Sequence, residues 1–267
     1  MKKPLILAGS LLLMTNAAFA AGDNGMRGGV ADPTPTTGVE PDAPFSEGFD
    51  DITMLAGWVM DNNPDVVGAS EWFQGNDAVF AAQAGAPTAY IAANFLSTNG
   101  SQISNWLMTP ELDFTVFDTF SFWTRASIKS TFPDRLQVRV STNGASSNVG
   151  TLPADVGDFT DLLIDINSTL TTGGYPETWT QFTVTAGDLP TTTGTGRLAF
   201  RYFVPIDAGP AGSNSDYIGI DSVEFVEGAP PITSIIEVPA AGPLGLGLLA
   251  LLLGAAALLV LRRRSAV

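Results

Sequence analysis

Between Phe45 and Phe225 the large apolar residues recur at alternate positions, in short runs broken by Gly, Asn, Thr and Pro. A period of two places successive side chains on opposite faces of a strand, so each run can bury one face and wet the other. Thr119 to Arg125 and Arg135 to Ser141 alternate most strongly. In the second of these, Leu136, Val138 and Val140 are expected inward and the arginines outward. Phe45 to Asp50, Trp58 to Met60, Ala89 to Phe95, Trp179 to Thr185, Arg197 to Val204 and Tyr217 to Phe225 read as further strands. Ser104 to Pro110 is another, its pairing stopped by the proline. Ser141-Thr142-Asn143-Gly144 supplies an Asn-Gly turn. A helical spacing is hinted at only in Asp158 to Asn167, through Phe159, Leu162, Leu163 and Ile166. Many short strands without an amphipathic helix predict an all-β fold of two packed sheets.

Apolar segments bracket this stretch. Met1-Lys2-Lys3, the run Leu5 to Met14 and the small-x-small site Ala18-Phe19-Ala20 read as a signal peptide over 1–20, cut by signal peptidase after Ala20. Residues 21–44 form a Gly-, Pro-, Asp- and Thr-rich lead-in, 45–226 the folded domain, and 227–237 a linker containing Pro230-Pro231. Residues 238–267 begin with Val238-Pro239 and continue into Leu244 to Leu261, built only of Leu, Gly, Ala and Val. As a transmembrane helix that run rises roughly 27 Å, one hydrocarbon thickness. Arg262, Arg263 and Arg264 then stay cytoplasmic, which places the bulk of the chain across the inner membrane.

Charge and missing residue types exclude much. The 27 acids all lie between the terminal segments, against seven of the twelve bases, leaving that part with a net charge of −20. Nucleic acid and anionic lipid are repelled by such a surface. With no cysteine and no histidine, disulfides, Ser-His-Asp triads and His-ligated zinc are impossible, and any metal must be held by oxygen, which favours calcium. Neither a nucleophile elbow nor a phosphate loop is present. Paired carboxylates are too common in so acidic a chain to indicate glycoside hydrolysis.

The Val-Pro motif, the glycine-rich apolar span and the arginine cluster together resemble PEP-CTERM and IPTL-CTERM sorting tails, although Val238-Pro239-Ala240-Ala241 stands where Val-Pro-Glu-Pro is usual. The resemblance implies processing near Val238 and Pro239 by an exosortase-type peptidase of a Gram-negative envelope. Phe45-Ser46-Glu47-Gly48-Phe49-Asp50, Gly57-Trp58, Trp106 to Leu112, Phe120 to Arg125, Asp134 to Val138, Ser141 to Gly144 and Tyr217 to Val223 follow in an order similar to the choice-of-anchor J domain, a relative of cleaved-adhesin and MAM-like jelly rolls. That resemblance implies an exported, adhesin-like or matrix-associated jelly-roll β-sandwich with no known reaction. It further implies a structural calcium ion where first and last strands meet, with Glu47, Asp50 and Asp221 as ligands.

Strand tryptophans such as Trp106 and Trp123 are read as core. Trp72, in a polar, glycine-rich neighbourhood, is the expected glycan contact. The leading expectation is a non-enzymatic surface or matrix protein, adhesin-like and polysaccharide-binding, held transiently in the membrane. A secreted carbohydrate-active enzyme using carboxylates and a permanently anchored envelope protein are the alternatives.

Overall fold

The computed structural model describes residues 44–229 and residue 251. The signal peptide, nearly all of the lead-in, most of the linker and the sorting-tail residues Val238, Pro239 and Arg262 to Arg264 lie outside the described residues, as do Ala18 and Ala20.

Twelve strands form two antiparallel sheets: β1 (Phe45–Glu47), β2 (Val59–Asn62), β3 (Phe73–Gln74), β4 (Ile91–Asn94), β5 (Ile103–Met108), β6 (Leu112–Asp113), β7 (Phe117–Ala126), β8 (Leu136–Ser141), β9 (Asp161–Ile166), β10 (Thr180–Thr185), β11 (Thr195–Val204) and β12 (Tyr217–Glu227). The first sheet has the order β10-β7-β12-β4-β3, with β1 paired to β12. The second has β2-β5-β11-β8-β9, with β6 paired to β11. The expected two-sheet all-β architecture is present.

The core lies between the sheets. β7 contributes Phe120 and Phe122, β8 Leu136, Val138 and Val140, β11 Leu198, Phe200, Tyr202 and Val204, and β12 Ile218, Ile220, Val223 and Phe225. Phe200 bridges the layers, its ring 4.8 Å from Phe122 and 5.8 Å from Phe120 between centroids. The alternation in β12 breaks between Ile220 and Val223 because a bulge shifts the register there, with Ser222 at φ 48°. One extra residue restores the inward phase of the strand's second half.

One expectation fails locally. Asp158 to Asn167 is not helical: it carries β9, which pairs with β8 around a register shift at Val138 and Arg139. That bulge supplies the two adjacent leucines that mimic helical spacing. The chain does turn at Asn143-Gly144, with Gly144 at φ 52° and Ser146 N donating to the Asn143 carbonyl at 3.1 Å, and residues 142–160 form a long connection before β9. This connection folds over the outer face of the second sheet and buries Trp106, Met108 and Ala199 beneath Val149 and Phe159. Trp106 is therefore buried outside the main core.

Arginines fasten the connection. Arg201, 1 % exposed, lies over the rings of Trp106 and Phe203 at 4.6 and 3.7 Å and donates to Ser104 Oγ at 3.0 Å, the Asp155 carbonyl at 3.1 Å and the Pro153 carbonyl. Arg139 donates to the Phe159 and Thr160 carbonyls, and Arg197 to that of Ala145. Arg135 instead makes a bidentate pair with Asp165 at 2.8 and 2.7 Å.

Candidate functional site: a cleft at one end of the sandwich

Three connections meet at one end: β7–β8, β9–β10 and β11–β12. The β7–β8 loop turns through Lys129, at φ 56°, and Ser130, whose Oγ both accepts from Phe132 N at 3.1 Å and donates to its carbonyl. This local closure throws the Phe132 ring outward, 45 % exposed. The β11–β12 loop is drawn tight. Asn214 N donates to the Asp207 carbonyl at 2.8 Å. At Gly212 a Cβ would stand 2.0 Å from that same carbonyl oxygen, so only glycine permits the approach. Ser215 N donates to the Pro133 carbonyl at 3.0 Å and joins the two loops.

Phe132 separates two recesses. One, of about 180 Å³, is lined by Phe95, Phe132, Gly209, Pro210, Ser215 and Asp216. The other lies among Ser127, Ser130, Asn167, Thr171 and Glu177 and is narrow, about 10 Å³, with Asp134 and Tyr175 at its base. Ile128 and Ile206, 63 % and 59 % exposed, stand on the same two loops as Phe132 and Asp216.

Asp134 ties the end together. Its carboxyl is 1 % exposed and accepts from Tyr202 Oη at 2.6 Å and from Asp216 N at 2.8 Å, while its backbone carbonyl accepts from Asn167 Nδ2 at 2.8 Å. Burial, reinforced by the nearby Asp216 carboxylate, pushes its pKa up to about 7 against the pull of those hydrogen bonds. Asp216 itself accepts from Ser127 Oγ. Tyr175 Oη and Thr124 Oγ1 share a hydrogen bond of 2.7 Å, and burial holds the Tyr175 phenol well above its ordinary pKa.

The residues expected to bind calcium sit elsewhere. Asp221 is fully buried in β12, and burial raises its pKa. One carboxylate oxygen accepts from the amides of Gln83 at 2.7 Å and Ala84 at 3.2 Å, and the other from Ser222 N and Oγ. Glu47 accepts from Phe49 N at 2.7 Å, and Asp50 is exposed. Groups that aim hydrogens at a carboxylate stabilise its charge but supply no oxygen to a cation. Among the described residues no three acidic side chains are grouped to hold a metal. In this arrangement the trio does not fit a calcium ion. Asp221 instead pins the 83–84 loop to the sheet.

Trp72 also departs from expectation: it is 2 % exposed within the main core, with no ring face open to a sugar. The polar neighbourhood that suggested a loop belongs to Phe73 and Gln74 on β3 and to the turn after them. Phe132 carries no such local signal beyond being a large ring between Thr131 and Pro133. Only the meeting of three distant loops makes it part of a cleft.

No family model matches the chain, and no curated protein matches it. Among solved structures, it is similar to cleaved adhesin domains of Lys-gingipain from Porphyromonas gingivalis. One is 23 % identical over 70 % of this chain and 100 % of that domain, with TM-score 0.48. Another is 20 % identical over 70 % and 99 %, with TM-score 0.46. It is also similar to a carbohydrate-binding module solved with β-1,4-galactotriose, at 14 % identity over 67 % and 94 % of the two chains, with TM-score 0.38.

Proposed function

We propose that the chain is a non-enzymatic, exported surface or matrix protein whose β-sandwich binds polysaccharide at the Phe132 cleft, in the manner of an adhesin. The observation that carries this reading is the exposed Phe132 ring set between the hydroxyl, amide and carboxylate groups of Ser127, Asn167, Thr171, Ser215 and Asp216. A pyranose presents an apolar C–H face to an aromatic ring and hydroxyls to the surrounding polar groups, the mixture that small-ligand sites use for grip and orientation. The larger recess is below the ~300 Å³ typical of sites that enclose a whole ligand, so it suits one ring of a longer chain. The acidic surroundings favour a neutral polymer over an anionic one.

Asp134, with its raised pKa beside Asp216, is the arrangement that favours the carbohydrate-active enzyme instead. Against that, its carboxyl is turned onto Tyr202, and the recess leading to it, about 10 Å³, has room for one water at most.

Export by residues 1–20, transient retention by Leu244 to Leu261 and exosortase-type processing near Val238 and Pro239 complete the proposal. Affinity electrophoresis of the full chain against neutral polysaccharides tests the binding. Phe132→Ala should weaken it measurably, and equal retardation of variant and wild type would refute the cleft. Polysaccharide turnover lost with Asp134→Asn would replace binding by catalysis. Mass spectrometry of the mature protein should find its C-terminus near Val238, and an intact arginine tail would mean a permanent anchor.

A further inference from the structure

The outer face of the first sheet is closed in one half and open in the other. Over β4 and the start of β12, residues 75–90 lie across the sheet, so that Phe80 stacks on Tyr90 at 5.1 Å and meets Trp179 edge-on at 5.6 Å. Toward β10 the face is exposed, and Trp123 lies there. Phe120 and Phe122 of β7 point into the core, so Ser121 and Trp123 point out. The other four tryptophans are accounted for. Trp72 and Trp106 are buried, Trp58 packs on Phe45 and Phe49, and Trp179 donates to the Ala81 carbonyl at 3.0 Å. Trp123, half-buried, belongs to none of the three apolar clusters of the described residues.

Register places polar groups around it. Gln181 of β10 lies directly across from Trp123 on one side; across from it on the other, Asp221 of β12 is fully buried beneath the 83–84 loop, which bounds the open face there. One step along, Thr183 and Glu224 flank Ser121. Directly opposed residues of antiparallel strands project from the same face. Gln181, Thr183 and Glu224 are exposed, and Gln181 Nε2 reaches Ser121 Oγ at 3.4 Å.

We propose that this face is a second glycan-binding surface, on which a neutral polysaccharide lies across β10, β7 and β12 with one ring stacked on Trp123. Gln181, Thr183 and Glu224 take its hydroxyls. The fully buried centre of a protein interface is apolar and depleted of charge. Here a single ring stands among an amide, hydroxyls and a carboxylate, the complement of a sugar rather than of a peptide. Glu224 repels uronate or sulfated polymers. β10 is the edge of its sheet among the described strands, so a long chain can run off the face without obstruction. This surface rests on the same reading of the domain as glycan-binding, but it shares no residue with the Phe132 cleft.

The test is a fluorescence and binding titration of the full chain with neutral hexasaccharides of the cello-, xylo-, manno- and galacto- series. At least one should shift tryptophan emission saturably. That shift should persist in Phe132→Ala, vanish in Trp123→Ala and weaken several-fold in Gln181→Ala, an exposed edge position whose change leaves the core intact. Saturable emission changes retained in Trp123→Ala, or lost in Phe132→Ala alone, would overturn the second surface while leaving the cleft standing. No saturable change with any series in the wild type would overturn it outright.

Discussion

Replacing Asp134 by asparagine should remove most of the pH dependence of stability between pH 5 and 8. The chain has no histidine, so no other side chain with an ordinary pKa titrates in that interval. Asp134 in the folded state has its pKa at about 7, against an ordinary value of 3.8. The folded protein therefore holds a proton that the unfolded chain has already lost, and stability falls as pH rises toward and through 7. With 1.36 kcal/mol per pKa unit, integrating from pH 5 to pH 8 gives a loss of roughly 2–3 kcal/mol. Asp221, also raised by burial, acts in the same direction. Asp65, Asp155, Asp158 and Asp188 are lowered by hydrogen bonds, so their contributions are lost only on acidification below the ordinary carboxylate range. Urea unfolding of wild type and Asp134→Asn at several pH values is the assay. The amide can still accept from Tyr202 and the Asp216 amide, so the variant should fold and lose most of the decline, keeping the share that Asp221 contributes. A wild-type midpoint that rises from pH 5 to pH 8, or a variant that retains the full decline, would refute the assignment of that proton to Asp134.

Other outcomes follow from the packing. Phe200→Ala removes the ring that joins the two sheets and should cost about 3–5 kcal/mol in chemical denaturation. Arg201→Leu unfastens the Pro153 and Asp155 carbonyls, so hydrogen exchange and proteolysis over 150–157 should accelerate more than elsewhere. Asp221→Ala leaves the Gln83 and Ala84 amides without their acceptor and should lower stability by about 1–3 kcal/mol. A chelator should leave the melting temperature of the wild type unchanged. A fall of several degrees, reversed by calcium, would reinstate the metal at Glu47, Asp50 and Asp221.

Strand placement was legible in the sequence because alternation is a local property. Leu136, Val138 and Val140 announce their face whatever lies opposite, and the same holds for Phe120 and Phe122. Exclusions drawn from the absence of cysteine and histidine are equally independent of folding. The positions read as ligands were less legible, since their surroundings come from elsewhere in the chain. Asp221 was expected as a cation ligand because the jelly-roll resemblance put it where first and last strands meet; its partners include backbone amides 137 and 138 residues away. Trp72 looked like a loop ring because its sequence neighbours are polar, yet it points into the core.

Alternation also cannot tell which of two faces a covering loop will close. Trp106 and Trp123 sit in equally strand-like runs, but residues 142–160 cross the second sheet and bury the first ring, while the β10 half of the first sheet stays open and leaves the second half-exposed. By itself the chain determined its periodicity, its charge and the chemistry it lacks. Which rings face solvent, and which carboxylates meet hydrogen-bond donors, was decided by tertiary structure, because burial and pairing depend on segments that only the fold brings together.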